Sequence, residues 1–167
     1  MPNLSDYELD LLTARLPKPD VSPIGPGMAG GITGMTIGSL ISPALSLPGA
    51  LAGTAIGALG SGRRRQTEEN IFRAAIRRNA GSVTTEDIRE LAKRVAPAAP
   101  HVIGTAGTSG LLTGALGAGL AAHAGKSVGR GALGGGLTGA GVGALVGAIH
   151  AAANRARIKR LLREETQ

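Results

Sequence analysis

Apolar residues in this chain are gathered into long uncharged runs, with the charges confined to the stretches between them. No charged residue occurs from Val21 to Gly62. Pro43 and Pro48 divide that run into segments at 27–42 and 48–62, the pattern of a helical hairpin. A second uncharged run extends from Val95 to Gly125, breaks at Gly125-Lys126-Ser127-Val128-Gly129-Arg130 and resumes from Gly131 to Asn154. It predicts a second hairpin, with segments 102–124 and 131–154. Around the hairpins the period becomes amphipathic. Ser5 and Glu8 have capping-box spacing, and Leu9, Leu12 and Leu16 recur at helical intervals, so a short helix is expected over 3–15 before Pro17 and Pro19 stop it. Arg63, Arg64 and Arg65 open a polar block in which Ile71, Ala75 and Ile76 mark one helical face and Asn79-Ala80-Gly81 a stop. Thr84 or Thr85 then caps a helix with the apolar stripe Ile88, Leu91, Ala92 and Val95, ended by Pro97 and Pro100.

The predicted fold is therefore all-α. Two glycine-rich helical hairpins, four apolar helices in all, are joined by a pair of basic amphipathic helices, with a short N-terminal helix and a basic helical tail. The expected divisions are an amphipathic helix and Pro linker (1–20), the first apolar hairpin (21–62), the basic linker (63–100), the second hairpin (101–154) and the cationic tail (155–167).

Glycine spacing sharpens this picture. Gly131, Gly135, Gly139, Gly143 and Gly147 follow one another every four residues and line one oblique strip of a helix. Shorter ladders are Gly30, Gly34 and Gly38; Gly49, Gly53 and Gly57; and Gly110 with Gly114. Inside an exposed helix each glycine costs about 1 kcal/mol relative to alanine, so the eight glycines between 131 and 147 would cost about 8 kcal/mol in water. In hydrocarbon the backbone must satisfy its own hydrogen bonds, and small-xxx-small strips let backbones approach closely, with right-handed crossings near about −40°. Leu133, Leu137, Val142, Leu145, Val146 and Ile149 are left to cover the other faces toward lipid.

Composition supports packing by small residues. Of 167 residues, 28 are glycine and 28 alanine, and there is one Phe, one Tyr and no Trp. Without aromatics, which bury roughly 150–250 Å² each, an ordinary core has few building blocks. The same scarcity departs from a resident membrane protein with Trp and Tyr at its interfaces. With a mean hydropathy barely above zero, it fits conditional insertion, from a protein assembly first and into lipid later. At about 1.5 Å per residue, segments 102–124 and 131–154 span roughly 34–36 Å and can cross a hydrocarbon layer of about 30 Å. Segments 27–42 and 48–62 reach only roughly 22–24 Å, which suits a re-entrant or bilayer-thinning hairpin. If both hairpins cross, the N-terminus, middle block and tail share one side, placed in the cytoplasm by their arginines, although Lys126 and Arg130 oppose that bias. The acidic start, with Asp6, Glu8 and Asp10, does not read as a cleaved secretory signal.

Catalytic chemistry is not expected. There is no cysteine, which excludes disulfides, thiol catalysis and Cys-ligated metal. His101, His123 and His150 fall at expected helix ends, where they would stay hydrated, and their spacing gives no metal motif. Lys126-Ser127 after Gly125 lacks the upstream glycine of a phosphate-binding loop. Glu68-Glu69 and Glu86-Asp87 read as helix-starting acids that complement the dipole. The chain is therefore expected to be no enzyme, with no cofactor and no metal. With a net charge of +7, its candidate contacts to anionic lipid are Arg63, Arg64, Arg65, Arg155, Arg157, Lys159, Arg160 and Arg163, and non-specific DNA phosphate contact is the alternative.

The segment GALGGGLTGAGVGALVGAIH at 131–150, followed by NRARIKRLLREE, resembles glycine-zipper transmembrane hairpins. Two such hairpins with short basic helical blocks also look like small virion proteins of tailed bacteriophages, of the internal or ejection class. That resemblance implies storage in the particle beside portal or internal proteins, release with the genome, and a homo-oligomeric conduit in the host inner membrane. The mitochondrial inner-membrane translocase family also has four glycine-rich spans, but this chain is poorer in aromatics. The expected function is thus a membrane-active structural protein aiding genome passage. The alternatives are a holin-like lysis protein and a virion scaffold or DNA-contacting protein whose helices pack only against protein.

Overall fold

The computed structural model describes residues 4–22, 24–79, 81 and 83–166. Among them every regular element is helical: α1 (Asp6–Arg15), α2 (Ile24–Ile41), a 3₁₀ turn (Pro43–Leu45), α3 (Ser46–Gly60), α4 (Gly62–Asn79), α5 (Thr85–Val95), α6 (Ala98–His123) and α7 (Val128–Thr166). Asn3, at the expected start of the first helix, and Ala80, in the expected stop after Asn79, lie outside the described residues.

Local chemistry sets these boundaries. Ser5 caps α1 and Thr84 caps α5, and each is half of a capping box, with Glu8 and Asp87 respectively reaching back to the cap. Pro26, Pro48 and Pro100 each occupy the third position of a helix. The first four N–H groups of a helix have no internal acceptor, so proline removes nothing there. Pro48 and Pro100 therefore sit inside first turns and do not break the chain as the spacing suggests, and α3 and α6 begin earlier than expected. The acids Glu68 and Glu69 also differ from expectation. α4 starts at Gly62 with no acid in its first turn, so both lie beyond the reach of the dipole and serve as ion-pair partners instead.

Between α6 and α7 the chain turns through a Schellman motif. Gly125 has φ 64°, its N–H donates to Ala122 O at 3.1 Å, and Lys126 N–H donates to Ala121 O at 2.7 Å. A side chain at that φ is strained. Gly125→Ala is expected to cost about 1 kcal/mol, read as a lower thermal midpoint by circular dichroism in detergent, whereas Gly129→Ala, with nothing within 4 Å, should not lower it.

The chain forms two compact units. The polar segments make the first, from 1–23, 60–97 and 151–167. Linker and tail, read as separate stretches in the sequence, share one core: Leu9 and Leu16, Phe72 and Ile76, Ile88, Leu91, Ala92 and Val95, and Ile158, Leu161 and Leu162. In α4 the inward face is Phe72 and Ile76, with Ala75 beside them. Ile71, assigned to that face by periodicity, is 55% exposed, while Phe72 is 0% exposed; the larger ring takes the core position. Asn154 supplies the buried polar joint of this unit, accepting from Val21 N–H at 3.0 Å and donating to Pro19 O at 3.1 Å.

Candidate functional site

The second unit, 24–59 and 98–150, holds the glycine strips. In α2 and α3 they meet each other. A Cβ on Gly30 would collide with Gly53 O, one on Gly34 with Gly49 O and one on Gly38 with Leu45 O; in return, Gly49, Gly53 and Gly57 would collide with Gly34 O, Gly30 O and Pro26 O. The pairing runs in opposite directions along the two helices, so they are antiparallel with their backbones in contact. Each carbonyl rests on a facing glycine Cα, the arrangement of Cα–H···O contacts. This pair also carries an apolar groove floored by Gly34, Gly38 and Gly49 and walled by Ile37, Ile41 and Ile56.

In α6 and α7 the strips are chemically unlike. All five glycines of the α7 ladder face α6: Gly131 meets Gly117, Gly135 meets Thr113, Gly139 meets Thr113 and Ser109, Gly143 meets Ser109 and Thr105, and Gly147 meets Thr105 and His101. Gly110 and Gly114 also face α7, but less tightly, with a Cβ on them 3.1 Å from Gly136 O and 3.3 Å from Ala132 O. The closest strip of α6 is thus Thr105, Ser109, Thr113 and Gly117, which a search for glycine alone misses; counting Ser and Thr as small residues finds it at the same four-residue spacing. The threonines add specific bonds. Thr105 Oγ1 lies 2.7 Å from Gly143 O, and Thr113 Oγ1 lies 2.6 Å from Gly135 O, across the interface. Each hydroxyl is also 2.7 Å from the carbonyl four residues back in α6, so its proton is shared between its own helix and the neighbour.

Small residues inside leave the large ones outside. Every helix of the unit turns apolar side chains outward: Leu40 on α2, Leu59 on α3 at 80% exposure, Leu111 on α6 and Leu137 on α7 are representative. Leu133, Val142, Leu145 and Ile149 are also exposed, and Val146 is half-buried. Among the described residues, α7 is the one helix long and apolar enough to cross a membrane. α6 has 26 residues, but its glycines, threonines and serine dilute its hydropathy.

His150 is not at a helix end, because α7 continues through it to Thr166. It is 2% exposed, so it is not hydrated as its place in the sequence suggests. Its ring lies 4.5 Å from that of His101, tilted by 60°, and against Gly25, where a Cβ would come within 2.7 Å of Cε1. Only glycine leaves room for the imidazole. His101 is half-buried and His123 is exposed.

The cations singled out for anionic partners divide into two groups. Several are engaged within the first unit: Arg64 pairs with Glu68 at 2.8 Å, Arg157 with Glu69 at 2.9 Å, and Arg155 donates to Ala96 O at 3.2 Å. Arg65 and Lys159 are half-buried, while Arg63, Arg160 and Arg163 are exposed. The tail continues α7 to Thr166 and packs into the first unit. Arg73, which the sequence pattern did not mark, pairs with Glu69 at 3.1 Å, Glu164 at 2.7 Å and Glu165 at 2.8 Å, and Arg77 pairs with Glu165 as well. Hydrogen bonds from Arg77 and then Arg73 hold the Glu165 carboxyl down to about 2, from an ordinary 4.5. A lowered acid stabilises the fold fully above its unfolded value, and that contribution disappears as pH falls through the folded value. The clamp of α7 on α4 is therefore expected to be intact above about pH 4.5 and to be lost as the pH falls toward 2. Thermal melts from pH 6 to pH 2 check this: Glu165→Gln should flatten the acid limb of the wild-type curve.

No protein-family model, curated protein or solved structure matches the chain.

Proposed function

We propose that this chain is a non-enzymatic, membrane-inserting structural protein whose glycine-rich unit enters a lipid bilayer as two helical hairpins. One observation carries the reading: the second unit is inside out for water, with Gly, Ser and Thr in its interior and Leu and Ile on the surface of all four helices. Monomeric soluble proteins rarely expose contiguous apolar patches beyond a few hundred Å². A docking surface for one protein would occupy one side, whereas here each helix contributes, as suits a surrounding solvent. The first unit has the opposite character, with an apolar core under charges, and is built for water.

All five α7 glycines are covered by α6, which supports glycine-zipper packing within the chain rather than between copies. Self-association into an oligomer would therefore use the leucine and isoleucine faces and the apolar groove of α2 and α3. Exposed Arg63, Arg160 and Arg163 are the cations we assign to lipid headgroups. Resemblance to internal virion proteins of tailed bacteriophages makes passage of a genome across the host membrane the process we propose for the assembly.

Flotation of the purified chain with anionic vesicles tests insertion. Recovery with the lipid at both low and high salt is expected, together with release of a trapped dye. Recovery in the soluble fraction at both salt levels overturns the proposal in favour of a scaffold packed against protein. Mass spectrometry of purified particles and of producing-cell membranes tests the setting, and presence in the membranes alone would favour a lysis role.

A further inference from the structure

The two hairpins of the second unit start from one place and differ in length. Gly25 near the start of α2, His101 in the first turn of α6 and His150 on α7 meet at one place, and Gly57 near the end of α3 faces Pro26 in the first turn of α2. The points where the chain enters and leaves the unit thus lie together, and each hairpin's tip lies at its own far end. From Gly25 to Ile41, α2 advances about 24 Å; from His150 back to Val128, α7 advances about 33 Å. The α6–α7 tip therefore lies about 9 Å farther along its hairpin from the shared end than the α2–α3 tip does.

Charge divides the tips in the same way. Lys126 and Arg130 are the only Lys, Arg, Asp or Glu residues of the unit, and both are exposed beside the Gly125 turn. The shorter tip, from Ser42 to Leu47, carries no charge and exposes Leu45 and Leu47. A hydrocarbon layer is about 30 Å thick, so the longer hairpin outreaches it and the shorter does not. An ammonium or guanidinium held inside hydrocarbon is costly, but one just past it meets phosphate oxygens.

Building on the membrane-inserting reading, we propose that the α6–α7 tip crosses the bilayer and fixes Lys126 and Arg130 on the lipid phosphates of the far leaflet, while the α2–α3 tip stops inside the hydrocarbon. The first hairpin is then re-entrant, the second spans, and the two cations act as the far-side anchor that determines how deep the unit sits.

The chain has no cysteine, so single thiols can be introduced without background. Asn70→Cys, Ser42→Cys and Ser127→Cys are made separately, added to sealed anionic vesicles and floated. A membrane-impermeant maleimide then labels from outside or, sealed in the lumen, from inside. Asn70→Cys is expected to react only from outside, Ser127→Cys only from inside, and Ser42→Cys from neither side until detergent is added. Lys126→Leu with Arg130→Leu in the Ser127→Cys chain should lose the lumenal labelling. Outside labelling of Ser127→Cys in floated vesicles overturns the crossing while leaving insertion standing, and lumenal labelling of Ser42→Cys overturns the re-entrant assignment. Unchanged lumenal labelling in the double-leucine chain removes the anchor role. Failure of all three thiol variants and the cysteine-free chain to float overturns membrane insertion itself, and this proposal with it.

Discussion

Leucine at Gly139 is expected to force α6 and α7 apart. A side chain there begins inside Thr113 Oγ1 and Ser109 O; the hydroxyl can rotate away, but the carbonyl belongs to a helix backbone and can be relieved only by separating the helices. Overpacking of a dense interior costs typically 1–3 kcal/mol even where side chains yield. Where backbone must move, and the interhelical Thr105 and Thr113 bonds are lost with it, we expect more than about 3 kcal/mol. Gly141 on the same helix has nothing within 4 Å, so Gly141→Leu makes the same change in helix propensity without the collision and should leave the midpoint unchanged or slightly raised. Thermal denaturation of both variants in detergent micelles decides the matter. Equal midpoints for the two would mean that the ladder is not a packing surface.

Removing the ring of Phe72 has the second largest expected effect. It is the single phenylalanine of the chain and is fully buried among the apolar residues of the first unit. Phe→Ala in such a setting typically costs 3–5 kcal/mol, from lost transfer energy and the cavity left behind. In a unit drawn from three separated stretches of chain, that is a large share of the stability a small core can supply. Phe72→Ala should collapse amide-exchange protection in α1, α4 and α5. Ile71→Ala, one residue away on the exposed side, should change it little. Comparable loss in both would show that the two residues share the core.

These predictions also mark what sequence could and could not reveal. Ser5 with Glu8, and the α5 stripe of Ile88, Leu91, Ala92 and Val95, were legible because caps and amphipathic faces are local and carry their own period. The α7 ladder was legible as a strip for the same reason. What covers a strip is a non-local matter, and periodicity within one helix is silent about it. Thr105 and Thr113 were missed because a hydroxyl bonded to its own helix is small enough to join a glycine groove, a property that residue identity alone does not announce. His150 was misplaced because the helix runs past it and because the Gly25 that makes room for it lies far away in the sequence. Phe72 and Ile71 are neighbours on one helix; the period marked Ile71, while the larger ring of Phe72 takes the buried position. Glu68 and Glu69 were misread because the helix begins at Gly62, well before them; Arg64 and Arg73 pair with them from four residues away on the same helix, and Arg157 reaches Glu69 only when α4 and α7 pack together.

The carbonyl-on-glycine contacts of the second unit have a thermal consequence. Its interior hides little hydrocarbon from water, so little of its cohesion comes from the solvent-driven association that weakens on cooling. Dispersion between touching backbones and the threonine bonds bind the helices instead, and these are enthalpic. Chilling should therefore leave the hairpins closed, and calorimetry of their opening should register a small heat-capacity increment for a unit of this length.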